Sequence, residues 1–349
     1  MNSLIKCIRD IEKSKTIAII CHTIPDADAL ASLVALKKII RQNFNLSDES
    51  KQIDLFVDAD EINEINSAIV NGIELNNRRS EHYDLAISVD CASLSRLGKY
   101  AEIFEEANNT INIDHHVTNE RFAKNNLVFK TSSTCEALYI IAKSQDWELS
   151  DEVCKLVYSG IITDTNNLTQ GTITVNTHKI ITEMVSRKIN VDALNQHFFQ
   201  NNTKSKAYLL KQALDSLTFF AGDRIAFMKL TKQDISECEA TVEDTYGIVN
   251  HGTEIKGVDI SILAIKQEDN SYQVSLRSKG NVDVSNIAKA FGGGGHENMA
   301  AFNYSGLLAD LKEQLIPACR EELLKHPKEE KENLFDNSDE IEEQSQTKG

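Results

Sequence analysis

The stretch TIAIICHTIPDADALASLVALKKII, residues 16–40, sets the pattern of the first half of the chain. TIAII at 16–20 has the composition of a short buried strand, and apolar residues recur at helical spacing from Asp28 to Ile40. The alternation continues with strand-like QIDLFVD (52–58), helix-like EINEINSAIV (61–70), and strand-like DLAISVD (84–90) and INID (111–114). This order predicts an α/β fold with a mostly parallel sheet and helices on both of its faces.

The second half of the chain changes pattern twice. Residues 134–215 are mostly helical in periodicity and include a long helix near 204–217 that suits a connector. Strand-like segments then return at 224–230, 258–267 and 272–278, which predicts a second, smaller α/β domain. We therefore predict a first domain at 1–195, a helical connector at 196–217, a C-terminal domain at 218–325 and an acidic, disordered tail at 326–349.

Composition narrows the class of protein. The 349 residues are 41% hydrophobic and 26% charged, as in soluble globular proteins. No apolar stretch approaches the roughly 20 residues of a membrane helix, and the N-terminus lacks the apolar core of a signal peptide. Seven cysteines, an odd number without a C-x-x-C pair, suit buried thiols in a reducing compartment. We predict a cytoplasmic protein with no membrane partner.

The chain is strongly acidic, with a formal net charge of −16. Residues 329–349 carry eight acidic and two basic side chains, so the remainder still holds −10. Proteins that bind long duplex DNA or RNA usually present a basic face, whereas no basic run here is longer than a pair. We therefore expect no long duplex nucleic acid as a partner, and local cations or metal ions would have to neutralise any bound phosphate.

Side chains that can bind metals follow the ends of three predicted strands. They are His22, Asp26 and Asp28 after TIAII, Asp90 at the end of DLAISVD, and Asp114, His115 and His116 at the end of INID. A further acid, Asp164, follows a helix-like apolar stretch in SGIITDT. Because the loops after parallel strands gather along one edge of a sheet, we expect these groups to meet there.

Each of these groups has a plainer interpretation when taken alone. His22 could be satisfied by backbone, Asp26 or Asp28 could cap a helix, and Asp28 could both cap the helix and bind a metal. Asp164 could cap the turn that follows it. A lone pair of adjacent histidines is as often structural as metal-binding. The combination favours a metal centre, because all four clusters follow apolar segments and carry metal-compatible groups.

The chemistry of the set favours two ions. Imidazole and carboxylate without thiolate suit a harder divalent ion better than structural zinc. Four carboxylates and two or three imidazoles are too many for one ion, and they fit two ions that share a carboxylate. Such a centre generates hydroxide near neutral pH and neutralises charge on phosphorus oxygens, so it suits phosphoester hydrolysis.

Taken in order, these motifs resemble those of the DHH phosphoesterase superfamily: His22-x3-Asp26-x-Asp28, Asp90, Asp114-His115-His116 and Asp164. GGGGH at 292–296, with RSKG at 277–280 upstream, resembles the C-terminal domain of many DHH enzymes. The likeness spans about residues 15–305. It is greatest to the two-domain oligoribonucleases and 3′-phosphoadenosine 5′-phosphate phosphatases, a group often called nanoRNases.

The resemblance implies a role for each matched residue of the first domain. Two manganese ions would be bound, the first by His22, Asp26 and Asp90 and the second by Asp28, Asp90, His115 and Asp164. Mg²⁺ or Co²⁺ would be substitutes. Asp114 would orient a histidine, His116 would act as a donor or acid near the scissile phosphate, and a metal-bound hydroxide would be the nucleophile. The active site would lie in the cleft between the two domains.

The C-terminal residues implied in substrate binding are Arg277, Lys279, Gly293, Gly294 and His296. Consecutive glycines let backbone N–H groups approach an anion, although a flexible turn is the plainer interpretation. Arg277 offers a planar fork for phosphate oxygens. Arg277 and His296 rank above Lys279, which at a strand end could simply be solvated.

The implied function is that of a manganese-dependent 3′-5′ oligoribonuclease and nucleotide phosphatase. It would release 5′-mononucleotides from short RNA and AMP from 3′-phosphoadenosine 5′-phosphate, and these compounds would be its partners. A homodimer is left open. The strongest competing function is that of a phosphodiesterase for cyclic or linear dinucleotide messengers, because related proteins use the same centre for that reaction.

A pyrophosphatase, a DNA exonuclease and a non-catalytic regulator fit the sequence less well. A DHH-type pyrophosphatase would lack the GGGGH run, and a RecJ-like exonuclease would need an extra domain to hold DNA. A non-catalytic nucleotide-binding regulator, from another class of protein, would be expected to have lost a metal ligand. All the expected ligands are intact in this chain.

Overall fold

The computed structural model describes residues 2–44, 51–267 and 270–327. Proximity of Cα atoms divides the chain after Asn201 into two compact units. The domain boundaries drawn from the sequence at 195 and 217 stay predictions. The predicted acidic tail lies outside the described residues from position 328 onward.

The first unit is built on a five-stranded sheet in which all neighbouring strands are parallel. In the spatial order β2-β1-β3-β4-β5, its strands are β1 (Thr16–Ile20), β2 (Gln52–Phe56), β3 (Leu85–Val89), β4 (Asn109–Asp114) and β5 (Asn125–Val128). The predicted parallel sheet is confirmed. The sequence pattern does not predict β5, because this short edge strand begins with two asparagines, which are depleted in strands.

Helices pack on both faces of this sheet. They are α1 (Asn2–Lys13), α2 (Ala27–Asn43), α3 (Glu64–Ser67), α4 (Ala101–Glu106), α5 (Thr134–Ser144), α6 (Asp151–Asp164), α7 (Val175–Ser186) and α8 (Val191–Phe199). Side chains alternate along a strand. In β1, Ile17 and Ile19 therefore join the core formed with α2 and α6, whereas Ala18 and Ile20 join the core that contains Phe104 of α4. The predicted two-sided cover is confirmed.

The second unit contains a six-stranded sheet in the order β10-β11-β9-β8-β7-β6, antiparallel except for the pair β7–β8. Its strands are β6 (Thr218–Phe220), β7 (Ile225–Leu230), β8 (Ile260–Lys266), β9 (Ser271–Ser278), β10 (Gly294–His296) and β11 (Met299–Ser305). Its helices are α9 (Lys204–Asp215), α10 (Lys232–Glu237), α11 (Asn250–Glu254), α12 (Val284–Ala290) and α13 (Leu308–Lys325). The core with α12 and α13 lies on one face of the sheet and the core with α9 on the other, as an α/β domain requires.

Two helices differ from the sequence prediction. In place of a helix at 61–70, α3 is a single turn that begins after Asn63, whose side chain caps it, and continues as a 3-10 turn at Ala68–Val70. The predicted helix near 204–217 ends at Asp215. Within the described ranges, no helix has both the length and the apolar character needed to span a membrane.

Candidate metal centre

The carboxyl ends of the parallel strands bring the predicted metal ligands to one edge of the first sheet. Asp90 directly follows β3, Asp114 is the last residue of β4, and His22 lies two residues beyond β1. Asp164 arrives from a different element, because it is the last residue of α6. Residues far apart in the sequence therefore meet at this edge, as the sequence analysis expected.

Seven side chains at this edge form three overlapping groups, each with its ligating atoms within 4.8 Å of one another. The groups are His22–Asp26–Asp90, Asp28–His115–Asp164 and Asp90–His115–His116. The first group is the set implied for one ion, and the second is the set implied for the other ion without Asp90, whose carboxylate is close to both groups. Its Oδ2 lies 3.6 Å from Nε2 of His22, and its Oδ1 lies 3.5 Å from Nε2 of His115. The ligand roles stay predictions, which this grouping supports.

Asp90 lies at the centre of the arrangement and is held from two sides. Its φ of +53° is in the left-handed region, which is unfavourable for residues other than glycine and is often found at functional sites. The hydroxyl of Thr134 donates a 2.9 Å hydrogen bond to its Oδ1. The side chain is 2% exposed. Backbone conformation and hydrogen bonding together keep the carboxylate between His22 and His115.

Asp26 and Asp28 open α2 and serve different purposes. Asp26 is the N-cap, and its Oδ1 accepts a 2.9 Å hydrogen bond from the N–H of Ala29. The suggestion that Asp28 caps the helix is wrong, because Asp28 lies within the first turn. It is buried and accepts backbone hydrogen bonds from the start of α5, at 2.7 Å from Thr134 and 3.1 Å from Cys135. Asp28 therefore connects α2 to α5 at the centre.

Asp114 is fully buried and holds the ring of His116. Its Oδ1 accepts a 2.6 Å hydrogen bond from Nδ1 of His116, and its Oδ2 accepts one from the amide of Asn119. The same amide contacts the side chain of Asn112 and the carbonyl of Cys91. The contact with His116 supports the orienting role implied for Asp114, which stays a prediction.

The buried charges shift one another's pKa values. Burial, together with the charge of Asp90, raises the pKa of Asp28 to about 7. Burial and the neighbouring carboxylates also raise the pKa of Asp164. For Asp90, burial acts upward, but the hydrogen bond from His22 and the charges of two further histidines hold its pKa well below the usual range. The centre concentrates negative charge that a divalent cation would neutralise.

The donor set fits divalent metal ions. Nδ1 of His22 is a buried nitrogen that lacks a hydrogen-bond partner among the described residues. Among the described residues, Asp90 and Asp164 form their ion pairs with histidines, whose imidazoles can also bind a metal, rather than with lysine or arginine. Carboxylate oxygens and imidazole nitrogens without thiolate suit a harder divalent ion.

The candidate substrate-binding residues lie in the second unit. Arg277 in β9 pairs with Met299 in β11, which in turn pairs with His296 in β10, so the three residues form one row across the sheet. The guanidinium of Arg277 donates to the carbonyl of Leu276, and no carboxylate in the described part of the chain forms an ion pair with it. Burial lowers the pKa of Arg277 to about 10. A half-buried cation without an acidic partner is suited to binding an anion.

Lys279 and the two glycines differ in what surrounds them. Nζ of Lys279 donates a 3.3 Å hydrogen bond to the carbonyl of Ile255. A Cβ at Gly293 would lie 2.2 Å from the carbonyl oxygen of Ala301. A Cβ at Gly294 would meet no described atom within 4 Å. Gly293 is therefore required by packing against β11, whereas the space that a Cβ would occupy at Gly294 is open.

Known proteins share both halves of this architecture. Residues 16–161 match the model of the DHH family, N-terminal domain, and residues 227–325 match the model of the DHHA1 domain. The chain contains a DHH domain followed by a DHHA1 domain. It is therefore a hydrolytic enzyme, and the expectation of a DHH phosphoesterase is confirmed. The first match contains every candidate ligand of the metal centre except Asp164.

Relatives and solved structures extend the match over most of this DHH phosphoesterase. It is 27% identical over 314 residues to the bifunctional oligoribonuclease and PAP phosphatase NrnA of Thermus thermophilus, covering 88% of this chain and 90% of that protein. It is 28% identical over 294 residues to a probable bifunctional oligoribonuclease and PAP phosphatase NrnA of Streptococcus mutans, covering 82% and 88%. The crystal structure of an exopolyphosphatase-related protein from Bacteroides fragilis shares the fold, with a TM-score of 0.82, 22% identity, and coverage of 93% of this chain and 97% of that one.

Several residues that build the centre are not evident from metal-type side chains alone. Thr134 contacts both Asp28 and Asp90, and the S-x-x-E pattern of Ser133 and Glu136 is the signal that marks the start of its helix. Gly160 is a second example, because a Cβ there would lie 2.3 Å from Oδ1 of Asp28. A glycine inside a helical pattern signals close approach. Nothing in the periodicity singles out Asn119.

Proposed function

We propose that this DHH phosphoesterase uses two manganese ions to hydrolyse short RNA to 5′-mononucleotides and 3′-phosphoadenosine 5′-phosphate to AMP. The observation that carries the proposal is the presence of two ligand groups on either side of Asp90. The names of the relatives that align over most of the chain support the choice of substrates. We also propose a cytoplasmic location, which the seven buried free thiols support.

The chain's own residues would place the metal ions and move a proton. When bound, the ions would supply hydroxide near neutral pH and neutralise charge on phosphorus oxygens. They would be held by the two predicted sets, His22, Asp26 and Asp90, and Asp28, Asp90, His115 and Asp164. Asp114 engages Nδ1 of His116, so Nε2 would be the atom that gives a proton to the leaving oxygen. Burial lowers the pKa of His116, but the hydrogen bond to Asp114 and the charges of Asp90 and Asp114 together outweigh burial and raise the pKa, which favours the protonated ring.

The second unit would bind the phosphates of the substrate. Arg277 would present its planar fork to phosphate oxygens, and the open space beside Gly294 would let the same anion approach its backbone. His296 would act beside them, and Lys279 would contribute less, because it is already bonded to a backbone carbonyl. A few local cations suffice for a short substrate, whereas the acidic chain would repel a long polymer.

The proposal is tested by turnover of separate substrates with manganese. We would offer a 5′-phosphorylated RNA dinucleotide, a long RNA, 3′-phosphoadenosine 5′-phosphate and a cyclic dinucleotide to the wild type and to Asp90→Ala. Asp60→Ala, which removes an exposed acid outside the centre, is the matched control. We expect the wild type and Asp60→Ala to turn over the RNA dinucleotide and 3′-phosphoadenosine 5′-phosphate, and Asp90→Ala to be inactive.

Two results would contradict this proposal. Comparable cleavage of the long RNA would favour an exonuclease for polymers. Turnover of the cyclic dinucleotide alone would favour a messenger phosphodiesterase.

A further inference from the structure

Glu136 in α5 is a buried carboxylate outside the proposed ligand groups. It is 1% exposed. Its Oε2 accepts hydrogen bonds from both the backbone N–H and the hydroxyl of Ser132. The hydroxyl of Thr177 in α7 donates to the same oxygen at 3.0 Å. Burying a carboxylate is unfavourable unless donors compensate it, so the three donors of Ser132 and Thr177 account for its burial.

The segment that Glu136 holds, residues 131–134, contacts the metal centre at three points. The carbonyl oxygen of Thr131 lies 3.4 Å from Nδ1 of His115. The N–H of Thr134 donates to Oδ2 of Asp28 at 2.7 Å, and its hydroxyl donates to Oδ1 of Asp90 at 2.9 Å. One short segment therefore orients three of the proposed ligands.

Thr177 links the carboxylate of Glu136 to the first turn of α7. Its hydroxyl accepts a 3.1 Å hydrogen bond from the N–H of Thr174 within the capping box that begins α7. The same hydroxyl donates to Glu136, and both side chains are buried. Glu136 therefore connects the segment at 131–134 to the start of a helix that follows Asp164 in the chain.

We propose that Glu136 is a positioning residue, whose carboxylate holds residues 131–134 in the conformation that presents Asp28, Asp90 and His115 to the metal ions. The inference rests on the proposed metal-dependent function. All three donors converge on Oε2, and the hydroxyl of Thr177 also lies 3.2 Å from Oε1. A glutamine has nearly the same shape, but its neutral oxygen is a weaker acceptor than a carboxylate, and its NH₂ group would replace Oε1 beside the hydroxyl of Thr177.

The test is the affinity of the full chain for Mn²⁺ without substrate, measured by the electron paramagnetic resonance signal of free Mn²⁺. For Glu136→Gln we expect binding weakened roughly tenfold or more, as for other groups that orient metal ligands. Glu183→Gln is the matched control. Glu183 also joins α7 to α5, through Tyr139 and Lys143, but it has no contact with residues 131–134. We expect the Glu183→Gln substitution to lower the melting temperature and to leave the affinity for Mn²⁺ unchanged.

A second pair of variants covers the case in which Glu136→Gln does not fold. Thr177→Val removes the hydroxyl that donates to Glu136, and Thr177→Ser keeps it. We expect weaker Mn²⁺ binding in the first variant and wild-type affinity in the second. A change in stability alone would move the valine and serine variants in melting temperature without separating them in Mn²⁺ affinity.

The outcomes separate this inference from the proposed function. Wild-type Mn²⁺ affinity in folded Glu136→Gln or Thr177→Val, with turnover of the short RNA intact in the wild type, would overturn the positioning role alone. Weakened binding in both variants, with no turnover of short RNA by the wild type, would support the positioning role and overturn the choice of substrate. Absence of Mn²⁺ binding by the wild type would overturn both.

Discussion

The two polar regions of this phosphoesterase are built in opposite ways. At the edge of the first sheet, carboxylates and imidazoles are bonded to one another and to backbone N–H groups, and Asp90 lies between two groups of ligands. In the second unit, Arg277 bonds to a neighbouring carbonyl and has no acidic partner among the described residues. The first region is arranged by the protein itself, and the second would be completed by an anion.

The difference has consequences for mutations. A centre of mutually bonded groups requires each orienting residue to keep its position, so small changes of shape should weaken metal binding. The second region consists of one guanidinium and the backbone at Gly294. Substitutions there should weaken substrate binding and leave metal binding in the first region intact. Substitutions in the two regions should therefore differ in what they impair, and the largest effect is expected in the first.

Gly160→Ala should damage the first region most. The new Cβ would lie 2.3 Å from Oδ1 of Asp28 and 2.6 Å from Sγ of Cys135, so α6 or the carboxylate would have to move. We expect activity to fall by roughly 100-fold, with Mn²⁺ affinity reduced in parallel. Activity and Mn²⁺ binding measured on the same preparation check this. Wild-type values for both would show that the centre tolerates displacement of Asp28.

Arg277→Lys should affect the second region alone. The charge remains but the planar fork is lost, so the KM for the RNA dinucleotide should rise by roughly 10-fold. We expect kcat and Mn²⁺ affinity to stay within about twofold of wild type, because Arg277 is not among the metal-ligand groups. Steady-state kinetics at saturating Mn²⁺ measures both constants. A fall in kcat with unchanged KM would contradict a binding role.

The two glycines provide a finer test within the second region. Gly293→Ala should lower the melting temperature, because its Cβ would lie 2.2 Å from the carbonyl oxygen of Ala301. Gly294→Ala should leave the melting temperature nearly unchanged and raise KM a few-fold, since the methyl group would hinder approach of an anion to the backbone. Thermal unfolding and kinetics of both variants check the contrast. Equal KM values in Gly294→Ala and wild type would contradict a role of the glycine run in binding the substrate and would favour its interpretation as a turn.

The pH dependence of the metal-free protein should be the smallest effect. The pKa of Asp28 rises from 3.8 to about 7 on folding, so its contribution to stability is present below about pH 4 and is lost as the pH rises through about 7. We expect the melting temperature of the metal-free protein to fall by several degrees between about pH 5 and pH 8. Asp28→Asn is the control, and it should flatten the dependence.

Saturating Mn²⁺ should counteract the fall in melting temperature with rising pH. Ligand carboxylates must be deprotonated to bind a metal, so the rise in melting temperature caused by Mn²⁺ should be larger at pH 8 than at about pH 5. An equal rise at both pH values would contradict the placement of Asp28 in the centre.

Much of this architecture follows from local sequence patterns. β1 and the start of α2 lie close to where the sequence pattern places them. TIAII is a short apolar run typical of a buried strand, and the apolar residues after Asp26 recur at helical spacing. The gathering of His22, Asp90 and Asp114 follows from the geometry of parallel strands.

The orienting contacts could not be predicted in the same way. Glu136, Thr134 and Asn119 act through hydrogen bonds that depend on tertiary packing, and such bonds leave no periodic signal. β5 is also invisible to periodicity, because it is four residues long and begins with asparagine.

The central claim is that the first region holds two metal ions with Asp90 between them. Electron paramagnetic resonance of the chain titrated with Mn²⁺ tests it most directly, because neighbouring manganese ions couple and isolated ones do not. We predict two bound ions per chain and the spectrum of a coupled pair, which Asp90→Ala should abolish. A single uncoupled ion per chain, with Asp90→Ala indistinguishable from wild type, would contradict the claim.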